Sequence, residues 1–171
     1  MLKRLLAFTL IILNVLTMQA QKTVSSSVSG RQEETTAVIN RLEIIVYAKQ
    51  YLGASYHRGS YNPKRGFDCS GFVYYVFKKF NILLPRSSRE YKYMGRALKP
   101  EEFKVGDVLV FYGYRDSSHI GHVGIICEAN GMKSRFIHAS SGAAFGVTIS
   151  NLDSKGYSRR FYKCIDVIQH P

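Results

Sequence analysis

Residues 67–80 read Phe-Asp-Cys-Ser-Gly-Phe-Val-Tyr-Tyr-Val-Phe-Lys-Lys-Phe, and this stretch decides how the rest of the chain is understood. Cys69, Phe72, Val73, Val76, Phe77 and Phe80 fall at i, i+3, i+4, i+7, i+8 and i+11, the spacing of one buried helical face. Asp68 stands where an N-cap belongs, and Pro85 lies beyond the end. Cys69 therefore falls in the first helical turn, where orphan backbone N–H groups and the positive end of the helix dipole converge. That setting lowers a thiol's pKa and favours the thiolate, the nucleophilic form. The same register also permits a buried structural cysteine, so the helix by itself leaves both roles open.

Upstream, Ile44, Ile45, Ala48, Tyr51 and Leu52 recur at helical spacing and Gly53 follows as a stop, giving a first helix over 37–52. Residues 53–67 are rich in Gly, Tyr and Asn, with Pro63 and Gly66, and read as loop. Residues 84–88 (LPRSS) read as a turn plus a cap for a short helix over Ser88–Met94, closed by Gly95. After the Gly106-Asp107 turn the texture changes. Short β-prone runs follow at 107–112 (DVLVFY), 122–127 (HVGIIC), 135–140 (RFIHAS), 147–150 and 161–168, separated by turn residues. Helices first and strands second predict an α+β domain, with N-terminal helices packed on an antiparallel sheet.

Two strand histidines are the partners to consider for the thiol. His122 opens its strand on the face shared by Gly124 and Ile126, and His138 lies in the middle of RFIHAS. A three-residue loop at Ala129-Asn130-Gly131 would pair 122 with 138 and set the imidazoles opposite each other, about 5 Å apart at Cβ. A two-residue Asn130-Gly131 turn would pair 122 with 139 and send them to opposite faces. Function therefore requires the three-residue loop or a bulge. A helix-borne thiol, a strand-borne base and a third polar group orienting that base make a Cys–His–polar arrangement of papain-like type. His122 would move the proton and His138 would hold its ring. His119, His122, Cys127 and His138 could supply zinc ligands, but their spacing matches no short-range zinc signature, so neither metal nor cofactor is expected. Cys127 and Cys164 each lie in a β-prone run among apolar neighbours, as structural thiols or as a disulfide pair.

The N-terminus reads as an address. Lys3 and Arg4 precede a nearly uncharged run from Leu5 to Met18, and Ala20 offers a small residue for cleavage, the order of a secretory signal peptide at 1–20. A membrane span needs about 20 apolar residues, more than this run provides. Cleavage removes Lys3 and Arg4 and lowers the formal charge from +12 by two, to +10. Residues 21–36 are Ser/Thr-rich without an apolar face and read as a flexible leader, leaving 37–171 as one domain. The basic excess calls for anionic partners, and export argues against nucleic acid. An acidic membrane surface is a further candidate for peripheral association, and a monomer is expected.

In order along the chain come LGASY at 52–56, FDCSGFV at 67–73, LPRSS at 84–88, VGDV at 105–108, HVGI at 122–125 and IHAS at 137–140. Together these motifs resemble the NlpC family of cell-wall cysteine peptidases, and are most similar to its single-domain murein endopeptidases of the Spr type. The resemblance spans roughly 40–168 and implies a papain-like α+β fold that cleaves peptide stems of peptidoglycan. It implies Cys69 as nucleophile, His122 as base and His138 as third residue, with the Cys69 backbone N–H at the oxyanion. By family position Tyr56 would line the pocket, and Asp68 and Ser70 would contact the stem peptide. The chain departs from the family at Gly59-Ser60, where Gly-Gly is usual, in a local insertion at 60–66, and at Tyr91, where glutamine is usual. The bond cut is either D-Glu to the diamino acid or the D-Ala-to-diaminopimelate cross-link. The rivals are a non-catalytic wall-binding module and an acyltransferase on the same machinery.

Overall fold

The structure, a computed structural model, describes residues 41–169. The expected signal peptide at 1–20, the leader at 21–36 and the start of the first helix lie outside the described residues. Helix α1 fills 41–49, and its apolar stripe of Ile44, Ile45 and Ala48 is buried. Arg41 ties it to the sheet. Its Nη1 donates to Asp107 at 2.9 Å and its Nη2 to Asp166 at 2.6 Å, with all three side chains buried.

The segment expected as loop contains a small hairpin, β1 (Tyr61–Asn62) and β2 (Gly66–Phe67), built from the insertion. Helix α2 (Cys69–Lys78) follows, capped by Asp68, whose Oδ1 accepts from the Gly71 N–H at 2.7 Å. Its buried residues include Cys69, Phe72, Val73, Val76 and Phe77, the face that the spacing predicts. The Ser60 carbonyl lies over its first turn so closely that a Cβ on Gly71 would overlap it. The hairpin thus packs onto the end of the helix that carries the thiol. The short helix near Ser88 is a 3₁₀ helix, Ser88–Tyr93, rather than an α-helix. Buried Lys163 donates to the Lys92 carbonyl at 3.0 Å and the Met94 carbonyl at 2.5 Å, closing its C-terminal end.

The sheet comprises β3 (Val108–Tyr112), β4 (Ile120–Glu128), β5 (Arg135–Ser140), β6 (Gly146–Asn151) and β7 (Phe161–Ile165), in the order β6-β5-β4-β3-β7. All four pairings are antiparallel. A one-turn helix, α3 (Lys155–Ser158), precedes β7. Alternation along the strands gives the sheet two different faces. Val108, Val110, Val123, Ile125, Ile137 and Ala139 pack with α1 and α2. Leu109, Phe111, Ile126, Phe136 and Cys164 pack on the other side with Tyr157 and Phe161.

The hairpin between β4 and β5 corrects one expectation. Its connection runs over 129–134, not 129–131, and pairs Glu128 with Arg135. Carried through unchanged, that register would place the two histidines on opposite faces. A bulge at Cys127 absorbs one residue, so that Ile126 pairs with Phe136 and Ile125 with Ile137. Continued outward, the register sets His138 opposite Gly124 and makes His122 its diagonal neighbour on the same face. The bulge, rather than the loop, brings the histidines together, and their pairing is diagonal rather than direct. The disulfide alternative is also excluded. Cys127 belongs to the helix-side cluster and Cys164 to the opposite one, β3 runs between their strands, and all three cysteines are free.

Candidate active site

Cys69 opens α2 with its thiol directed at the Gly121 carbonyl, 3.9 Å away, on the residue before His122. Its environment differs from the one the helix terminus suggests. Burial pushes the thiol up to about 11, and the adjacent Asp68 carboxylate adds to the rise. The backbone N–H groups of Val123, Ser70 and Cys69 pull the other way and are outweighed. The resting residue is therefore a neutral thiol, because a charge at this depth lacks water and faces a carboxylate.

The two imidazoles form a tight pair. His122 Nε2 and His138 Nδ1 are 2.9 Å apart, with ring centroids at 4.8 Å and planes at 89°. Gly124 makes room, since a Cβ there would come within 2.5 Å of the Phe136 ring and 3.0 Å of the His138 Cβ. His138 is fully buried, stacked on Phe136 at 4.7 Å. Its Nε2 lies 3.0 Å from Ser150 Oγ and 3.3 Å from the Tyr157 hydroxyl. Burial, then the His138 and Arg160 charges, hold His122 well below its ordinary value. Burial, then Arg160, lowers His138 to about 3. Both rings are neutral near pH 7. With Nε2 of His122 engaged by His138, Nδ1 is the nitrogen left to receive a proton. For that tautomer Nε2–H donates to His138 Nδ1, and His138 Nε2–H donates to Ser150 or Tyr157.

The expected residues gather around Gly121. A cleft of about 710 Å³ is lined by Tyr56, Asp68, Cys69, Ser70 and Gly121, among others. An adjoining cleft of about 780 Å³ is lined by Gly121, His122, Ser141, Tyr157 and Arg160, among others, and both include Gly121 and Ser141. Among the described residues, no hydrogen bond joins the Cys69 thiol directly to either ring. The four zinc candidates do not converge. His119 is exposed and bonded to Asp116 at 2.7 Å, and Cys127 points to the helix side. Among the described residues, no group of three or more His, Cys, Asp or Glu is placed to hold a metal ion.

Three site residues escape a reading of sequence alone. Arg86, within the segment read as a turn and cap, grips Asp68 with Nη1 to Oδ1 at 2.8 Å and Nη2 to Oδ2 at 2.9 Å. Ser150 and Tyr157 hold His138 from β6 and α3. Alternation along β6 signals which face Ser150 takes. Tyr157 lies in a one-turn helix too short for any periodicity.

A family profile described as the NlpC/P60 family matches residues 53–166. A probable endopeptidase NlpC homolog of Haemophilus influenzae is 34% identical over 133 residues, covering 77% of this chain and 65% of that protein. The murein DD-endopeptidase MepS/murein LD-carboxypeptidase of Escherichia coli K12 is 31% identical over 142 residues, covering 80% of this chain and 70% of that protein. The chain thus spans slightly less than two thirds of the first relative. The crystal structure of an NlpC/P60 family protein from Bacillus cereus superposes with a TM-score of 0.65 at 25% identity, over 74% of this chain and 40% of that one. Fold, profile and relatives agree, and the chain belongs to the NlpC/P60 family.

Proposed function

We propose that this chain is a cysteine endopeptidase of the bacterial cell envelope that cleaves peptide stems of peptidoglycan. The observation that carries the reading is the His122–His138 pair, with His138 fully buried, beside the strand residue whose carbonyl meets the Cys69 thiol. The naming of the two relatives as endopeptidases, one of them a murein endopeptidase, gives the substrate class. Export by the signal peptide at 1–20 accounts for the location.

The neutral thiol and neutral imidazole call for general-base attack rather than a preformed ion pair. As Cys69 Sγ adds to the scissile carbonyl, its proton passes to His122 Nδ1. The N–H of Cys69, in the first helical turn, donates to the developing oxyanion, a contribution commonly of about 3–4 kcal/mol. His122 then protonates the leaving amine and the C–N bond breaks, leaving an acyl group on sulfur. Water, deprotonated by His122, releases the acid and restores the thiol. His138 does not touch the substrate. It accepts from Nε2–H, fixes the tautomer with Nδ1 open, and supports the imidazolium when it forms.

Digestion of purified sacculi by wild type and Cys69→Ala, with mass spectrometry of the soluble fragments, tests this reading. Fragments released only by wild type are expected, and their masses identify the bond cut. Equal release by both proteins would refute the enzymatic assignment.

A further inference from the structure

A second cavity, of about 660 Å³, lies between the β1–β2 hairpin, α1 and the C-terminal half of α2. Gly59 is the one lining residue it shares with the cleft at Cys69, and neither Cys69, His122 nor His138 lines it. Three aromatic rings, Tyr47, Tyr61 and Tyr75, form its walls, and the exposed Arg65, Lys78 and Lys79 stand at its edge. No carboxylate lines it, and none of the three cations forms an ion pair among the described residues. Arg65 Nη2 meets His57 Nε2 at 2.9 Å, which holds the guanidinium on the hairpin and leaves its charge uncompensated. Aromatic walls with a few placed polar groups, in a space of this size, are the make-up of a small-molecule site.

The polar groups left over in this lining are donors. Tyr51 Oη donates to Tyr47 Oη at 3.0 Å, which spends its only hydrogen. At the 3.1 Å contact between Tyr51 and Tyr75, Tyr75 is therefore the donor. The chain runs from Tyr75 through Tyr51 to Tyr47, and the Tyr47 O–H at its end has no acceptor among the described residues. Hydroxyls linked in one direction polarise each other, so the last is the strongest donor. Asn62 repeats the pattern on the hairpin. Its Oδ1 accepts from the Lys64 N–H at 2.9 Å, and its amide N–H groups have no acceptor among the described residues. The ligand that completes this cavity is an anion with oxygen acceptors and an apolar face. A bare phosphate leaves the aromatic walls unused. A bilayer surface is disfavoured, because Tyr61 is the only exposed large hydrophobic residue in the lining and no aliphatic collar surrounds it.

We propose that this cavity binds a phosphorylated saccharide, with its phosphate at Lys78, Lys79 and Arg65 and its sugar ring against the tyrosines. The cations supply charge-assisted hydrogen bonds to the phosphate. Tyr47 and Asn62 donate to the sugar oxygens, and the C–H face of the ring lies on the aromatic walls. The site stands apart from the endopeptidase reading and needs neither Cys69 nor His122.

The experiment is an NMR titration of the full chain with glucose 6-phosphate, glucose, inorganic phosphate and uridine monophosphate, beside cosedimentation with phosphatidylglycerol vesicles. Glucose 6-phosphate should shift the amide signals of residues 59–62, 75, 78 and 79 and leave those of His122 and His138 in place. It should bind at least about tenfold more tightly than glucose or inorganic phosphate, each of which uses half of the site. The paired substitution Lys78→Gln and Lys79→Gln should weaken it about tenfold or more, and Tyr47→Phe, which keeps the ring, about tenfold, the scale of one hydrogen bond to a strong acceptor. Thermal unfolding of the lysine variant should match wild type, since both side chains are exposed. Five results would each overturn the proposal. They are no shifts with glucose 6-phosphate, shifts centred on His122 and His138, inorganic phosphate binding as tightly as the sugar phosphate, tighter binding of uridine monophosphate, or vesicle binding that needs Lys78 and Lys79 while the sugar phosphate does not bind.

Discussion

The two faces of the sheet hold the two halves of the proposed machinery in different ways. On the helix side, Val, Ile and Ala side chains pack against α2 and bury Cys69 among them. On the opposite side, Phe111, Phe136 and Tyr157 surround two imidazoles that bond to each other and onward to Ser150. The first face sets a position by filling volume, with few polar atoms to satisfy. The second sets an orientation by hydrogen bonds, and its aromatic walls keep the His138 ring dry and both rings uncharged. Gly121 lies between them, its carbonyl on the thiol and its chain neighbour the base. Substitutions on the first face should therefore act on stability, and those on the second on chemistry.

The largest separation is expected from His122→Ala. Loss of the base should lower kcat/KM by about 10²–10⁴-fold while thermal unfolding changes little. Ile125→Ala, on the aliphatic face, should reverse the pattern. A cavity in a closed core costs about 2–5 kcal/mol, read as a lower melting temperature, and the folded fraction should retain its kcat. A collapse of kcat in Ile125→Ala at a temperature where it is fully folded would break the division of labour.

The pH dependence sharpens the same contrast. Both histidines titrate below their unfolded value of about 6.5, so the unfolded chain takes up protons first as pH falls. Stability is thus fully present above about pH 6.5 and declines as pH drops toward 3, where His138 charges. Over the upper part of that range His122 remains a neutral base, so kcat/KM should hold its plateau below pH 6.5 instead of halving there. An acid limb centred at or above 6.5 would contradict the uncharged pair.

Smaller effects concern what lies behind the pair. Ser150→Ala removes one of the two hydroxyls on His138 Nε2 and should lower kcat about 2–10-fold without changing KM, with Ser150→Thr restoring part of it. Arg160→Gln removes a positive charge that disfavours both imidazolium forms. The acid limb of kcat/KM should then move to higher pH, and a move to lower pH would reverse the assigned sign.

Much of this was legible in the sequence, for identifiable reasons. The helix of Cys69 has a strict 3.6-residue stripe and a cap, and alternation along HVGIIC and RFIHAS marks their faces. The register between those strands was not legible, because it depends on a bulge at Cys127 that no residue type announces. The rise in the thiol's pKa is hidden from the sequence for a similar reason. A helix terminus is visible in sequence, but the burial that opposes it and the distance to Asp68 are properties of packing. Arg86 reads as turn chemistry because its partner stands eighteen positions earlier in the chain.

The most direct test is a double-mutant cycle on a purified muropeptide, comparing kcat/KM for wild type, Cys69→Ala, His122→Ala and the double variant. If the thiol and the imidazole act as one unit across the strand, the double variant should be no slower than Cys69→Ala alone. His122→Ala at wild-type activity, or single losses that multiply in the double variant, would contradict the proposal that these two residues work together.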